Sequence, residues 1–215
     1  GICDAAIIGG NSMRTDADYC MHCMDEEIQK DRVAAGLSEI PLNIVMTLDA
    51  TDVPMEHNLL KNTDVPCMMV TSPKGLEYLE KNFKGTYLVA KETDSEEVIK
   101  EKLDKAGKGV LPVLVTGKGG FPDSTVTMKI LKKIGIERLL IESPGYGHYL
   151  VKQKMMDEFF LNLSAVYIGG GDTMTLGKAD KGFLAEAHPH TQILSIHMYN
   201  DYFAYFRYKF NYDYV

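Results

Sequence analysis

Short, predominantly apolar runs alternate, along the first two thirds of the chain, with stretches in which apolar positions recur every three or four residues. The runs are Ala5–Ile8 and residues 42–48, 67–70, 87–90, 111–115 and 139–141. A strand buried on both faces needs no polar alternation, so these runs predict an interior, mainly parallel sheet. Residues 74–82, 95–106 and 125–134 predict helices on that sheet. Thr93 and Glu96 have the spacing of a capping box for the second, and Asp123 or Ser124 caps the third, which Gly135 stops. Another helix is expected after Gly147. Acidic residues 25–27 suit the start of a short helix, or simply a solvated face.

The pattern changes from Glu158 onward, where residues 159–167, 192–198 and 202–214 follow one another as strand signals, the last two joined at Tyr199-Asn200-Asp201. In the final segment Tyr202, Ala204, Phe206, Tyr208, Phe210, Tyr212 and Tyr214 alternate with Arg207, Lys209, Asn211 and Asp213. That period of two predicts a strand with one aromatic face, packed on the chain's own sheet or on a second subunit. Segments 36–41 and 52–66, rich in turn residues, are expected to be surface loops.

A chain of 215 residues with 45% hydrophobic content has material for one large core, so a single domain spanning 1–215 is expected. The net charge of −7 gives no broad basic surface and argues against nucleic acid or an anionic membrane as partner. No apolar run reaches the roughly 18 residues of a membrane span, and the start lacks the pattern of a signal peptide, so a cytoplasmic location is expected. Cys20 and Cys23 have metal-pair spacing without a second pair, and with Cys3 and Cys67 they read as unpaired thiols. No metal is expected.

Candidate chemistry lies in three turns that follow apolar runs: residues 9–12, 116–120 and 143–147. In open α/β sheets ligands bind at the carboxyl ends of strands, and three such turns on one edge suit an extended phosphorylated ligand such as a dinucleotide. Neither the Rossmann nor the Walker glycine pattern is present.

The chain resembles the dihydrofolate reductase-like superfamily, and within it the reductase domain of riboflavin biosynthesis proteins. The likeness is carried by Cys3-Asp4-Ala5-Ala6-Ile7-Ile8-Gly9-Gly10-Asn11-Ser12-Met13-Arg14-Thr15-Asp16, by Pro41-Leu42-Asn43-Ile44-Val45-Met46-Thr47-Leu48-Asp49, by residues 135–145, and by Met156-Asp157-Glu158 through Gly169-Gly170-Gly171. It implies an α/β fold whose mainly parallel sheet, flanked by helices, ends in an antiparallel hairpin. It also implies a homodimer. The implied activity is NADPH-dependent reduction of the ribosyl group of a phosphoribosylamino-pyrimidine to ribityl, with NADH not excluded. Gly10, Asn11 and Ser12 match the family's first phosphate turn, Thr47 lies near its adenosine 2′-phosphate site, and Thr116 with Gly117 line the nicotinamide side. Ser143, Pro144, Gly145 and Tyr146 match the second phosphate turn, while Asp16 and Glu142 match acidic positions at the substrate.

There are departures from the family's pattern. Ser143-Pro144 replaces a Gly-Gly pair, Asp49 places a negative charge near the 2′-phosphate position, and the family's first strand with its substrate signature is not found ahead of Gly1. Two alternatives therefore stand beside the reductase: a pterin or dihydrofolate-like reductase, and a non-catalytic nucleotide-binding dimerisation module of the same fold. His148 is a candidate proton donor or an exposed loop histidine.

Overall fold

A computed structural model describes residues 1–169, 176, 177, 179–184 and 186–213. Gly170 and Gly171 of the glycine triplet and Tyr214 of the aromatic row lie outside the described residues. The chain divides into two compact units, Gly1–Glu142 and Ser143–Val215.

The first unit contains β1 (Ala5–Ile8), α1 (Gly10–Thr15), α2 (Glu26–Ala34), β2 (Leu42–Met46), β3 (Cys67–Thr71), α3 (Pro73–Asn82), β4 (Thr86–Lys91), α4 (Glu96–Leu103), β5 (Val110–Val115), α5 (Ser124–Lys133) and β6 (Leu139–Glu142). The six strands form one parallel sheet in the order β4-β5-β3-β2-β1-β6. All of β1, β2 and β3 is buried, which is why these strands read as apolar runs, broken only by Thr71 and by Asn43, whose amide donates to the carbonyls of Met21 and Pro41 at 3.0 Å. Ile8, Val45, Met69 and Val113 enter one cluster with Met13, Leu59, Leu79 and Phe83. The Asp4 carboxylate accepts from the N–H groups of Glu137 and Arg138 at 3.0 and 2.7 Å, fixing the start of β6 against the start of β1.

Local chemistry explains where the helices start. Ser72 caps α3 through Gly75 N–H with Pro73 in the first turn, and Asp123 caps α5 through Val126 N–H. The cap of α4 is Ser95, which accepts from Val98 N–H, rather than Thr93, so that helix begins after the expected capping box. Asp25 accepts from Glu27 and Ile28 N–H, and the acidic run opens α2. Segment 52–66 is more than a surface loop. Its Val53, Met55, His57, Leu59 and Leu60 are buried, the two leucines within a 3₁₀ turn over Asn58–Lys61.

The second unit contains α6 (Pro144–Lys152) and three antiparallel strands, β7 (Glu158–Ser164), β8 (His190–Asn200) and β9 (Phe203–Asn211), in the order β7-β9-β8. The C-terminal hairpin is thus part of a separate sheet with its last strand in the centre. Helix α6 starts at Pro144, ahead of the expected start after Gly147, because proline suits the first helical position. Along β9 exposure alternates: Phe206, Tyr208 and Phe210 are half-buried, while Tyr205, Arg207 and Lys209 are exposed. Arg207 makes a two-pronged ion pair with Glu158 at 2.7 Å. Among the described residues no helix is long and apolar enough to cross a membrane.

Candidate functional site

From β1 the chain proceeds to β2 and β3 on one side, whereas β6 lies on the other. The carboxyl ends of β1 and β6 therefore flank the point where strand order reverses, the position at which open α/β sheets bind ligands. Ile8 and Glu142 are register partners there. Glu142 is exposed as a residue, yet partial burial of its surroundings pushes its carboxyl above the usual range. No hydrogen bond or ion pair to that carboxylate is found among the described residues. Ser12 lies on α1, and in the loop that follows the Tyr19 hydroxyl donates to Met21 Sδ at 3.6 Å, while burial and then the charge of Glu142 hold its phenol above the ordinary value. Tyr19 was not among the sequence candidates, and nothing in its spacing distinguishes it from a packing tyrosine.

Asp16 stands in the turn that carries Tyr19. Its Oδ1 accepts from Asp18 N–H at 3.0 Å, and its carbonyl accepts from Tyr19 N–H at 3.2 Å. His57 fixes the same carbonyl: Nδ1 accepts from Leu59 N–H at 3.1 Å, leaving Nε2–H to donate to Asp16 O at 2.9 Å. Asp16 is exposed and shapes the turn through these bonds.

The first glycine turn is filled by the chain itself. A Cβ at Gly10 would lie 2.5 Å from the carbonyl oxygen of Asp52 and 2.7 Å from its Oδ2. The Asp52 carboxylate also accepts from the Thr47 hydroxyl at 2.5 Å, and Thr47 Oγ1 accepts from Ala50 N–H at 3.1 Å. Thr47 is buried with its hydroxyl committed to this loop. Arg14 donates to the Asp52 carbonyl and, at 3.3 Å, to Asn11 Oδ1. Asp52, which carries no sequence signal, thus places an acid beside Gly10.

The second turn is also internally filled. Thr116 is buried and shares a 2.9 Å hydrogen bond with Thr127, while its hydroxyl accepts from Asp123 N–H at 3.1 Å. Gly117 has φ +75°, and its N–H donates to Glu92 at 2.9 Å. Because β5 is separated from β1 by β3 and β2, this turn stands about 14 Å from Gly10 at ~4.8 Å per strand. In the second unit Ser143 is the N-cap of α6 and makes no side-chain cap hydrogen bond; Pro144 and Gly145 are exposed, and Tyr146 stacks on Tyr149 at 6.1 Å. His148 packs on Phe183 at 5.0 Å. No group of His, Cys, Asp and Glu suited to a metal ion occurs among the described residues.

A phosphorylated dinucleotide therefore does not find two open glycine cradles in the first unit. Side-chain donors along that carboxyl edge include Asn11, Ser12 and Arg14 after β1, the last already bonded to Asp52 and Asn11, with Lys74 after β3 and Lys118 after β5. Three cations with hydroxyl and amide donors have the right chemistry for an anionic nucleotide. Lys74 is already paired with Asp49 at 3.2 Å.

The raised Glu142 carboxyl has a measurable consequence. A carboxylate whose folded pKa exceeds its unfolded one costs nothing below the unfolded pKa, and its penalty grows as pH rises through the folded pKa. Glu142→Gln is therefore expected to leave the melting temperature unchanged at pH 3.5 and to raise it slightly at pH 7.5. Differential scanning calorimetry at both pH values checks this.

No protein-family model and no curated protein sequence matches the chain. Among solved structures it is similar to a pyrimidine reductase-like protein from Corynebacterium diphtheriae, with a TM-score of 0.62 and 15% identity over 98% of this chain and 77% of that one. It is also similar to RibD of Acinetobacter baumannii, with a TM-score of 0.57 and 15% identity. That match covers 97% of this chain and 47% of the RibD chain, so the present chain spans about half of that protein's length. The likeness is one of architecture, and the chain has the dihydrofolate reductase-like α/β fold of these structures.

Proposed function

We propose that the protein is a nicotinamide-dependent reductase acting on a phosphoribosylamino-pyrimidine, with NADPH as the cofactor that the sequence resemblance implies. The observation that carries this reading is Glu142 at the carboxyl end of β6, in register with Ile8 at the end of β1 and so beside the strand that leads into the Gly10–Ser12 turn. It occurs in a fold shared with a pyrimidine reductase-like protein. A reduced nicotinamide, when bound, supplies the hydride. The chain's own work is then to bind anionic groups through Arg14, Lys118 and Ser12, and to hold the opened ribosyl carbon in reach of the donor. Glu142 supplies hydrogen bonds to the ring or ribose, and Asp16 shapes the turn that follows α1.

A second reading, a module of this fold without hydride chemistry, is favoured by one observation: Asp52 and the Phe121 carbonyl fill the spaces beside Gly10 and Gly117. Titration of the protein with NADPH and with NADH, followed by quenching of its tyrosine fluorescence, separates the two. Micromolar binding of NADPH, with oxidation at 340 nm on adding the phosphoribosylamino-pyrimidine, is expected of the reductase. Dinucleotide binding without oxidation, or no binding, overturns it.

A further inference from the structure

We propose that Cys20 and Cys23 are a reversible redox pair, closed by exchange with a low-molecular-weight disulfide, and that closure releases the loop between α1 and α2 from the sheet. The proposal goes beyond the reductase reading and stands without it. The two thiols lie in residues 19–25, a segment without a turn, and both are half-buried, within reach of a small reagent. Cys20 has a proton acceptor beside it: Nδ1 of the exposed His22 stands 3.3 Å from its Sγ. Burial, then the charges of Asp16 and Asp18, hold the Cys20 thiol above its ordinary value, so at rest it keeps its proton and reacts as the imidazole takes it. A thiolate formed from such a thiol is a strong nucleophile. Cys23 Sγ donates to the Asp25 carbonyl at 3.7 Å, a weak contact that is easily given up.

The chain between the thiols is gripped by the sheet. Asn43, 0% exposed within β2, accepts from Met21 N–H at 2.6 Å and donates to Met21 O at 3.0 Å. An amide buried among apolar neighbours is costly unless it is bonded, and Met21 satisfies both of its ends. A residue whose N–H and C=O bond one amide is extended, and three residues of extended chain span about 10 Å. A disulfide needs its Cα atoms within about 7 Å. Closing the pair therefore folds residues 20–23 into a turn and pulls Met21 off Asn43. The Asn43 bonds oppose closure in turn, which places this disulfide among the strained, easily reduced ones that serve regulation. Gln29, donating to Cys23 O at 2.5 Å, resists at the other end. Tyr19 is bonded to Met21 Sδ through its hydroxyl and to Asp16 O through its N–H, so the change reaches the turn that follows α1.

In the step, the Cys20 proton passes to His22 Nδ1, and the thiolate attacks one sulfur of the reagent, breaking its S–S bond and expelling one thiolate. Cys23, its proton lost to water, then attacks Cys20 Sγ and expels the second. Both protein thiols are oxidised, the small disulfide is reduced to two thiols, and the protons lost by the protein end on the expelled thiolates.

The test exposes the native chain to glutathione disulfide and to glutathione, and reads mass and hydrogen exchange. Trypsin releases residues 15–30, which hold both thiols, as a single peptide. Excess glutathione disulfide is expected to remove two hydrogens from that peptide without adding glutathione, and excess glutathione to restore them. His22→Asn is expected to slow closure by about tenfold or more. On oxidation the Met21 amide, bonded to Asn43 in the reduced protein, is expected to exchange about tenfold faster or more. Cys23→Ser, given the same oxidant, is expected to stop at glutathione on Cys20 and to keep the slow exchange. A parent peptide that carries only glutathione, or is crosslinked to Cys3 or Cys67, overturns the pair. Closure within twofold of the parent rate in His22→Asn overturns the role of the imidazole, and a Met21 amide equally slow in both redox states overturns the release of the loop.

Discussion

Gly117→Ala is expected to destabilise the protein by about 3 kcal/mol or more, the sum of ~1–2 kcal/mol for a left-handed non-glycine backbone and ~1–3 kcal/mol for overpacking. At φ +75° any L side chain is strained, and a Cβ there would run into the carbonyl oxygen of Phe121 and the N–H of Asp123, both main-chain atoms that cannot swing aside. The loop has no easy route of retreat, because Lys118 and Phe121 exchange backbone hydrogen bonds at 3.2 Å and Thr116 ties Asp123 to α5. Gly119 is the control. It also has positive φ, +58°, but nothing lies within 4 Å of the place its Cβ would take. Gly119→Ala should cost only the backbone part, about 1–2 kcal/mol. Urea denaturation of both variants checks the pair. Equal losses would mean that the Phe121 contact relaxes and that the turn is less tightly closed than the structure shows.

The contrast between these glycines shows where sequence reading reaches and where it stops. Runs such as Ala5–Ile8 declare a doubly buried strand because apolar side chains survive there on both faces, and the parallel sheet follows from them, although its edge strands β4 and β6 are only partly buried. The caps Asp123 and Ser72 act on neighbours three residues away or fewer, so local spacing reveals helix starts. The glycine turns behave differently. Gly9-Gly10 reads as an opening for phosphate, but the reason for glycine is Asp52, some forty residues along, whose carbonyl and carboxylate come to rest against it. No periodicity announces such an approach. The same holds for segment 52–66, whose turn residues suggest a surface loop although Val53, Leu59 and Leu60 are drawn into the core. Glu142 was legible because it ends an apolar run at a sheet edge.

Arg32 makes the same point with a large energetic effect attached. It is 3% exposed on α2, a helix whose other residues are mostly solvated. Its Nε donates to the carbonyls of Ser38 and Glu39 at 3.1 and 3.3 Å, and its Nη1 donates to those of Gly1 and Cys3 at 2.7 and 2.9 Å. One planar guanidinium thus gathers two separate backbone segments, the stretch leading into β1 and the loop leading into β2. Those strands are adjacent in the sheet, so the clamp sets how the chain enters its two central positions. Arg32→Met keeps the aliphatic stem but leaves these carbonyls without their donor, at ~1–3 kcal/mol for each that water cannot reach. A total loss of about 3 kcal/mol or more is expected, seen as a urea midpoint lowered by about 1 M or more. Arg32→Lys should recover less than half of it. A single ammonium reproduces neither the fork nor its reach, and the charge would stay buried with fewer acceptors. Full recovery by lysine would show that charge, rather than the shape of the donor, holds the two segments together.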